Sequence, residues 1–361
     1  MRTETAVRDA ATCDAQRQAA RQHENELMTA TAMGAQALAY GALYVLPAAA
    51  NAAWIAILTL LLPLAALRLL GLLVRRTAPE NAPSTLPYRL AAGGMALLFF
   101  SNMAVCLLTL TELAGVFFFP GGSRLPLALA AAAALGLGLP RSDTAAPNTA
   151  RFLHWFLAAA FVFCAATVLP TGEAGYLYPL PGFGLAHTLR CGLTASGSVW
   201  MAGALHLLSP REKPLHPLRS AVPHAVAVAL TAAFFLCCAY VLPGTELTAR
   251  RGYALRLQLL MEMSPSTLSW SLMLMAEMLL FLAGFALCAD LMRKSLRQAL
   301  GVKSAPVLPF ALLCVPLACR GMGQTEQLLI RLLPWRYPLM AGLMALCLGS
   351  NLVTKWRKKR P

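Results

Sequence analysis

The chain is a series of apolar stretches separated by short connectors that are rich in Arg, Lys, Pro and Gly. A run of about 20 apolar residues is the length of an α-helix that crosses the hydrocarbon core of a bilayer. Most of the stretches approach that length, and the fourth and ninth are the shortest. The pattern predicts about ten transmembrane helices, at residues 29–48, 52–74, 90–111, 125–140, 152–170, 188–208, 221–242, 265–289, 305–320 and 333–352.

The first and sixth stretches are interrupted by small residues near their middles. Gly41 lies in the first, and Gly197 lies between Ser196 and Ser198 in the sixth. Glycine weakens a helix, and lipid cannot satisfy the polar backbone groups of an unwound segment. Such interruptions persist in a membrane where they line a cavity or bind a ligand. The matched pair therefore predicts two helices that unwind inside the membrane.

The composition agrees with an integral membrane protein. Of the 361 residues 58% are hydrophobic and only 12% are charged, and the mean hydropathy is +0.62, which leaves too little polar surface for a soluble domain. The net charge of +15 is explained by topology, because most of the 30 Lys and Arg residues face the cytoplasm when both termini are placed there. Nucleic-acid binding is not needed to account for it.

Three regions follow from this pattern. Residues 1–27 form a polar cytosolic leader without an apolar face, residues 28–354 form the transmembrane permease-like domain, and residues 355–361 form a basic cytosolic tail suited to anionic inner-leaflet lipid. The connector that carries Arg250, Arg251 and Arg256 falls on the outer side in this topology. It either folds as a helical cap or shifts the span count by one.

Enzyme signatures are missing from the chain. There is no phosphate-binding glycine loop, no H-E-x-x-H motif and no soluble nucleotide domain. The ten cysteines lack metal-ligand spacing and mostly fall inside apolar stretches, where they act as small packing residues. No enzymatic activity, cofactor or metal is expected.

Polar residues at bilayer depth are scarce. Glu277, midway along the eighth stretch, is the strongest candidate among them for a functional residue. A buried ionisable group in a membrane is costly unless it faces a wet cavity, finds a partner or stays protonated. Glu277 is therefore either a ligand-ammonium or proton site, or a neutral acid bonded to another helix. Serine and threonine are weaker candidates, because they often bond only their own helix carbonyls. The predicted ligand-binding residues are Tyr40, Gly41, Ala42, Ser101, Asn102, Thr194, Ser196, Gly197, Ser198 and Glu277.

Three stretches carry a resemblance to a known family. They are Tyr40-Gly41-Ala42-Leu43-Tyr44-Val45-Leu46-Pro47 followed by Ala53-Trp54-Ile55, then Leu177-Tyr178-Pro179-Leu180-Pro181-Gly182-Phe183-Gly184, and Leu207-Leu208-Ser209-Pro210. With the span count, they make the chain similar to the amino acid-polyamine-organocation superfamily, and within it to the permease-like subunit of spore germinant receptors. The resemblance implies an all-α membrane fold of two inverted five-helix repeats. The chain departs from amine-handling members, which often carry an acidic residue in the sixth span, because Ser198 to Ala202 contain none.

The resemblance also implies a function. The chain would sense a small molecule, which we expect to be an amino acid, in the spore inner membrane. It would act beside a larger membrane subunit and a lipoprotein subunit. The alternative is a secondary, proton-coupled transporter of amino acids or amines with the same fold and site. The residues do not separate these two hypotheses.

Overall fold

The computed structural model describes residues 23–39, 52–79, 82–120, 122–138, 145–177, 184–208, 217–241, 267–302, 305–319 and 322–359. All regular structure in these ranges is helical. The predicted all-helical fold class is thereby confirmed for this part of the chain.

Eleven α-helices are described, and four short 3₁₀ turns accompany them, at Ala82–Ser84, Leu169–Thr171, Ala174–Leu177 and Ser196–Trp200. The α-helices are α1 (23–39), α2 (Ala52–Thr77), α3 (Leu86–Phe117), α4 (Leu125–Gly138), α5 (Ala145–Val168), α6 (Leu185–Ala195), α7 (Met201–Leu208), α8 (Pro217–Val241), α9 (Thr267–Leu300), α10 (Leu308–Cys319) and α11 (Met322–Lys359). Each predicted apolar stretch overlaps one helix, except that the sixth overlaps both α6 and α7.

Three of the described helices are long and apolar enough to cross a membrane. Their apolar segments are Leu86–Phe117, Ser271–Leu300 and Arg331–Trp356, and shorter apolar segments occur in α4, α8 and α10. These segments indicate a membrane-associated protein. The arrangement of ten spans in two inverted repeats stays a prediction.

Helices α3 and α9 pack against each other in antiparallel orientation. The Asn102 amide of α3 contacts the Cys288 thiol of α9 at 3.5 Å. Cys106, one turn later in α3, faces Gly284, which is one turn earlier in α9. At the other end of the pair, Arg89 Nε donates to the Ala299 carbonyl at 3.0 Å. A Cβ atom at Gly284 would lie 3.0 Å from the Cys106 sulfur, so the small residue permits this close packing.

The other helices surround this pair. Helix α5 packs on α9, and α4 and α10 pack on each other and on α3. Helix α2 contacts α6, α7 and α8, while α11 contacts both α2 and α3. The core runs without interruption between these helices, from Met28 in α1 to Cys347 in α11.

The sixth predicted span is interrupted where the sequence indicated. Helix α6 ends at Ala195, the chain forms a 3₁₀ turn over Ser196–Trp200, and α7 begins at Met201. All five residues of the turn are buried. We call this turn the α6–α7 break. The matching interruption at Tyr40, Gly41 and Ala42 lies outside the described residues.

The α6–α7 break lies directly against the backbone of α11. A Cβ atom at Gly197 would fall 2.1 Å from the Leu333 carbonyl oxygen, which is far inside van der Waals contact. Only a residue without a side chain permits this approach. Gly197 therefore fixes the distance between the break and α11.

We expect Gly197→Ala to destabilise the protein by about 1–3 kcal/mol, since the new methyl group must push α11 away from the break. The measurement is the midpoint of thermal unfolding in detergent. Gly342→Ala in the same α11 is the matched control, because a Cβ at Gly342 meets no atom within 4 Å. Equal midpoints for the two variants would contradict the close packing of the break on α11.

Candidate functional site

Arg336 of α11 is buried in the helical assembly and donates two hydrogen bonds to α3. Its Nη1 donates to Asn102 Oδ1 at 3.0 Å and its Nη2 donates to Ser101 Oγ at 2.8 Å. Only 2% of Arg336 is exposed, and Asn102 is fully buried. The Ser101 hydroxyl donates in turn to the Leu98 carbonyl at 2.8 Å, so it uses both its donor and an acceptor site.

The Asn102 side chain links this contact to two further helices. Its amide group faces the Cys288 sulfur of α9 at 3.5 Å and the Met201 sulfur of α7 at 3.8 Å. Met201 is the first residue after the α6–α7 break. A single amide thus joins α3, α7, α9 and α11 around a buried guanidinium.

The backbone around Arg336 is weakened on both sides. Pro334 and Pro338 lie inside α11 and lack N–H groups, so two carbonyls one turn earlier lose their intrahelical hydrogen bonds. The α6–α7 break faces this segment through Gly197 and Leu333. Two irregular backbone segments therefore meet beside one cation.

This position is deep within the assembly. Asn102 is central in the 32-residue α3, roughly 22–24 Å from either end at 1.5 Å per residue. If α3 crosses the membrane, Arg336 lies near the middle of the bilayer. A charged group there is costly and marks a functional site by default.

Trp200, the last residue of the α6–α7 break, packs on Phe99 of α3. Its ring lies 4.9 Å from the ring of Phe99, centroid to centroid, at an angle of 56°. Trp200 is fully buried, and its indole N–H has no acceptor among the described residues. A buried donor without an acceptor costs roughly 1–3 kcal/mol, so a ligand oxygen bonded to it would recover stability.

These groups suit recognition of a carboxylate. A guanidinium presents a planar fork of donors that matches the two carboxylate oxygens, and charge-assisted bonds of this kind are roughly twice as strong as neutral ones. Asn102 and Ser101 hold the guanidinium in place. We define Arg336, Ser101, Asn102, Trp200 and the α6–α7 break as the central site.

The structure brings together only some of the predicted ligand-binding residues. Ser101, Asn102, Gly197 and Ser198 lie in or against the central site, and Ser198 is buried within the break. Thr194 lies just before the break and Ser196 is its first residue, and their hydroxyls donate to the carbonyls of Arg190 and Leu193. Serine and threonine often bond only nearby backbone carbonyls in this way.

Glu277 is fully buried but does not lie beside Asn102. It precedes Cys288, the α9 residue in contact with Asn102, by eleven residues, which is roughly 16 Å along the helix axis. The α3–α9 register places Glu277 level with Glu112, which is also buried. The two buried carboxyl groups thus lie at one level, well separated from Arg336.

Sequence reasoning missed Arg336. The residue lies near the start of the last apolar stretch, in Pro334-Trp335-Arg336-Tyr337-Pro338. The available signal was a cation inside an apolar stretch that is otherwise suited to a transmembrane helix. Two helix-breaking prolines flank this cation. Its partners on α3 carried no pattern that pointed to it.

A second polar cluster lies between α1, α2 and α8. Arg68 pairs with Glu26 through both of its terminal nitrogens, at 3.0 and 2.6 Å, and Arg68 Nη2 also contacts His224 Nδ1. His224 Nε2 lies 3.1 Å from Thr29 Oγ1, and the Thr29 hydroxyl donates to the Glu26 carbonyl at 3.1 Å. Because Arg68 can only donate, Nδ1 accepts and Nε2 carries the proton toward Thr29.

We call these four residues the Glu26–Arg68 network. Glu26 falls in the predicted leader, yet α1 is already helical at residue 23 and Glu26 is only 1% exposed. His224 is fully buried, and its own helix gave no sign of its partners on α1 and α2.

Further titratable side chains lie close to this network. The His206 ring of α7 lies against Gly71 of α2, where a Cβ atom would fall 2.0 Å from the ring. Arg75 donates to the Leu205 carbonyl at 3.3 Å, and Thr31 contacts His154 Nδ1 at 3.5 Å. Within the residues that the structure describes, no group of three or more His, Cys, Asp or Glu side chains is arranged to hold a metal ion.

No family model matches the chain, and no curated protein matches it.

We expect Glu26→Gln to destabilise the protein by about 3–5 kcal/mol, because Arg68 would keep a buried charge without its carboxylate partner. The measurement is the midpoint of thermal unfolding in detergent. Glu24→Gln, on the same helix at a more exposed position, is the matched control and should change little.

A second variant isolates the charge itself. The double substitution Glu26→Gln with Arg68→Met should be more stable than Glu26→Gln alone, since it removes the unpaired cation. If the double variant is less stable than the single one, the ion pair is not the main contribution of these residues.

Proposed function

We propose that the chain is a multi-pass membrane protein that binds a small zwitterion, an amino acid, at the central site. In this proposal it has ten spans in two inverted five-helix repeats and acts as the germinant-sensing, permease-like subunit of a spore receptor. A larger membrane subunit and a lipoprotein subunit would be its partners. The observation that carries the proposal is the buried guanidinium of Arg336 beside the α6–α7 break.

Recognition would divide the ligand between two kinds of group. The carboxylate would bind Arg336 and the Trp200 N–H, and the ammonium would bind backbone carbonyls at the break and at the proline-flanked segment of α11. An α-amino acid is far shorter than 16 Å, so a ligand held at Arg336 does not reach Glu277 in this arrangement. Glu277 would then act in a step other than amino acid binding, such as binding a proton.

Contacts between helix ends support the proposed topology. Asn351 Nδ2 donates to the Val74 carbonyl and to Tyr88 Oη, and Lys355 Nζ donates to the Arg76 carbonyl. Gln298 Nε2 donates to the Leu207 carbonyl. These contacts gather the ends of α2, α7, α9 and α11 and the start of α3 on one side. This side is rich in Lys and Arg, as expected for a cytoplasmic face.

A specific observation favours the second candidate, a proton-coupled transporter. The Glu26–Arg68 network joins a carboxylate and a histidine by hydrogen bonds inside the assembly, as in proton relays of transporters. Flux of a radiolabelled amino acid into proteoliposomes with a pH gradient separates the two functions. Binding without flux supports the sensor, and gradient-dependent uptake supports the transporter.

We expect Arg336→Met to weaken amino acid binding by about tenfold to a hundredfold, because it removes a charge-assisted contact of roughly 1.5–3 kcal/mol. Binding of a panel of the standard amino acids is measured by calorimetry on the protein in nanodiscs. Arg331→Met, an exposed position earlier in α11, is the matched control. Arg336→Lys should retain part of the affinity, since it keeps the charge but loses the planar fork.

Amides of the same amino acids test whether Arg336 contacts the carboxylate. They lack the carboxylate, so Arg336→Met should lower the affinity for the acid more than the affinity for the amide. Unchanged affinity for every acid that binds the unmodified protein would exclude Arg336 as the carboxylate partner.

We expect Glu277→Gln to leave amino acid affinity within about twofold, because roughly 16 Å of α9 separate it from the central site. The measurement is the same calorimetry, with each amino acid compared with its analogue that lacks the amino group. A loss confined to the amine-bearing ligands would instead place Glu277 in contact with the ammonium.

A further inference from the structure

An open cavity lies where the start of α3 meets the end of α9. It has a volume of about 510 Å³, and its lining includes Ser84, Arg89, Lys294, Arg297, Gln298 and Gly301. We call it the basic pocket. Among its described lining residues three side chains are cations and none is a carboxylate. It lies on the same side of the assembly as Asn351 and Lys355, and apart from the central site.

The nearest described carboxylate does not neutralise the pocket. Asp290 is buried and pairs with Arg293 at 2.6 Å and with Lys294 at 3.0 Å, so it is already shared by two cations. Arg297 Nε has no hydrogen-bond partner among the described residues. Arg89 uses its Nε on the Ala299 carbonyl, which fixes its guanidinium beside Gly301. The described residues of the pocket therefore carry an excess of positive charge.

The surface beside the pocket is apolar and exposed. Leu86 and Leu90 of α3 are 69% and 57% exposed, and Leu300 at the end of α9 is 59% exposed. Leu86 lies within one helical turn of both Arg89 and Leu90, so these leucines form an apolar strip that begins beside Arg89 on α3. A free anion would make no use of such a flank, whereas acyl chains would cover it.

We propose that the basic pocket binds the phosphate headgroup of an anionic phospholipid, with its acyl chains along Leu86, Leu90 and Leu300. Basic pockets between helices at the cytoplasmic side are suited to this chemistry, and each Lys or Arg near an anionic surface adds to the attraction. Arg89 and Arg297 would hold the phosphate, and Lys294 would add to its attraction. The site is independent of the ligand proposed for Arg336.

Native mass spectrometry of the full chain in detergent tests this site, with phosphatidylglycerol and phosphatidylcholine of identical acyl chains as probes. The unmodified protein should bind phosphatidylglycerol more tightly. The double substitution Arg89→Ala with Arg297→Ala should weaken that binding by about tenfold or more and leave phosphatidylcholine binding unchanged.

The matched control removes two cations from the same side of the assembly but outside the pocket. Arg76 and Lys355 are exposed and do not line the pocket, so Arg76→Ala with Lys355→Ala should keep the preference for phosphatidylglycerol. An equal loss in both double variants would overturn the proposal in favour of general surface attraction. If the pocket variant fails to fold, Arg297→Gln alone should still lower the preference.

Two further probes identify the source of the phosphate. Short-chain dihexanoyl phosphatidylglycerol should bind more weakly than the long-chain lipid, because it covers less of the apolar flank. Inorganic phosphate at millimolar concentration should not displace the long-chain lipid. Displacement by phosphate, or equal binding of the short-chain lipid, would overturn the assignment of a lipid to this pocket.

Discussion

The antiparallel packing of α3 on α9 is the contact from which the rest of the assembly is arranged. Its register is set by small and sulfur-containing residues, with Asn102 on Cys288 and Cys106 on Gly284. A shift of one turn would remove Asn102 from Cys288 and place bulkier side chains against Cys106. Asn102 would then lose its support from α9, and Asn102 is one of the two side chains that accept from Arg336. Close packing of α3 on α9 thus helps to position the acceptor of the guanidinium.

The central site concentrates groups that a membrane interior tolerates only when protein surrounds them. A guanidinium, a 3₁₀ turn and two proline-weakened carbonyl positions meet within one region, and Gly197 lets the two backbones approach. Each of these features weakens regular helix packing. Their coincidence at one depth is the basis of the ligand site proposed above. The proposed sensing also requires that ligand favours one helix arrangement over another, and a break packed on a weakened helix is suited to such a change.

The polar groups are distributed unevenly along the assembly. The Glu26–Arg68 network ties α1, α2 and α8 together, and the basic pocket opens where α3 meets α9, on the side that carries Asn351 and Lys355. Arg336 lies about 21 Å from that side, counted along α3 from Tyr88 to Asn102. Charges near the end of the helices can be paired with each other or with lipid headgroups, and Arg336 at the centre donates to Ser101 and Asn102 of α3 beside the break. This distribution fits a ligand site at mid-depth and an anchoring surface at one end.

The sequence by itself determined the helices, the membrane class and the interruption in the sixth stretch. These depend on local properties, namely the length of apolar runs and the backbone freedom of Gly197, which a chain expresses wherever it folds. Only the tertiary structure decided which polar groups meet. Arg336 and Asn102 are 234 residues apart, and Arg68 and His224 are 156 residues apart, so no local pattern connects them. Glu277, prominent in the sequence, is separated from Asn102 by three turns of α9. Which side chains pair across two helices depends on the register and rotation of the helices. Both are set by packing between helix surfaces and do not appear in the periodicity of either segment.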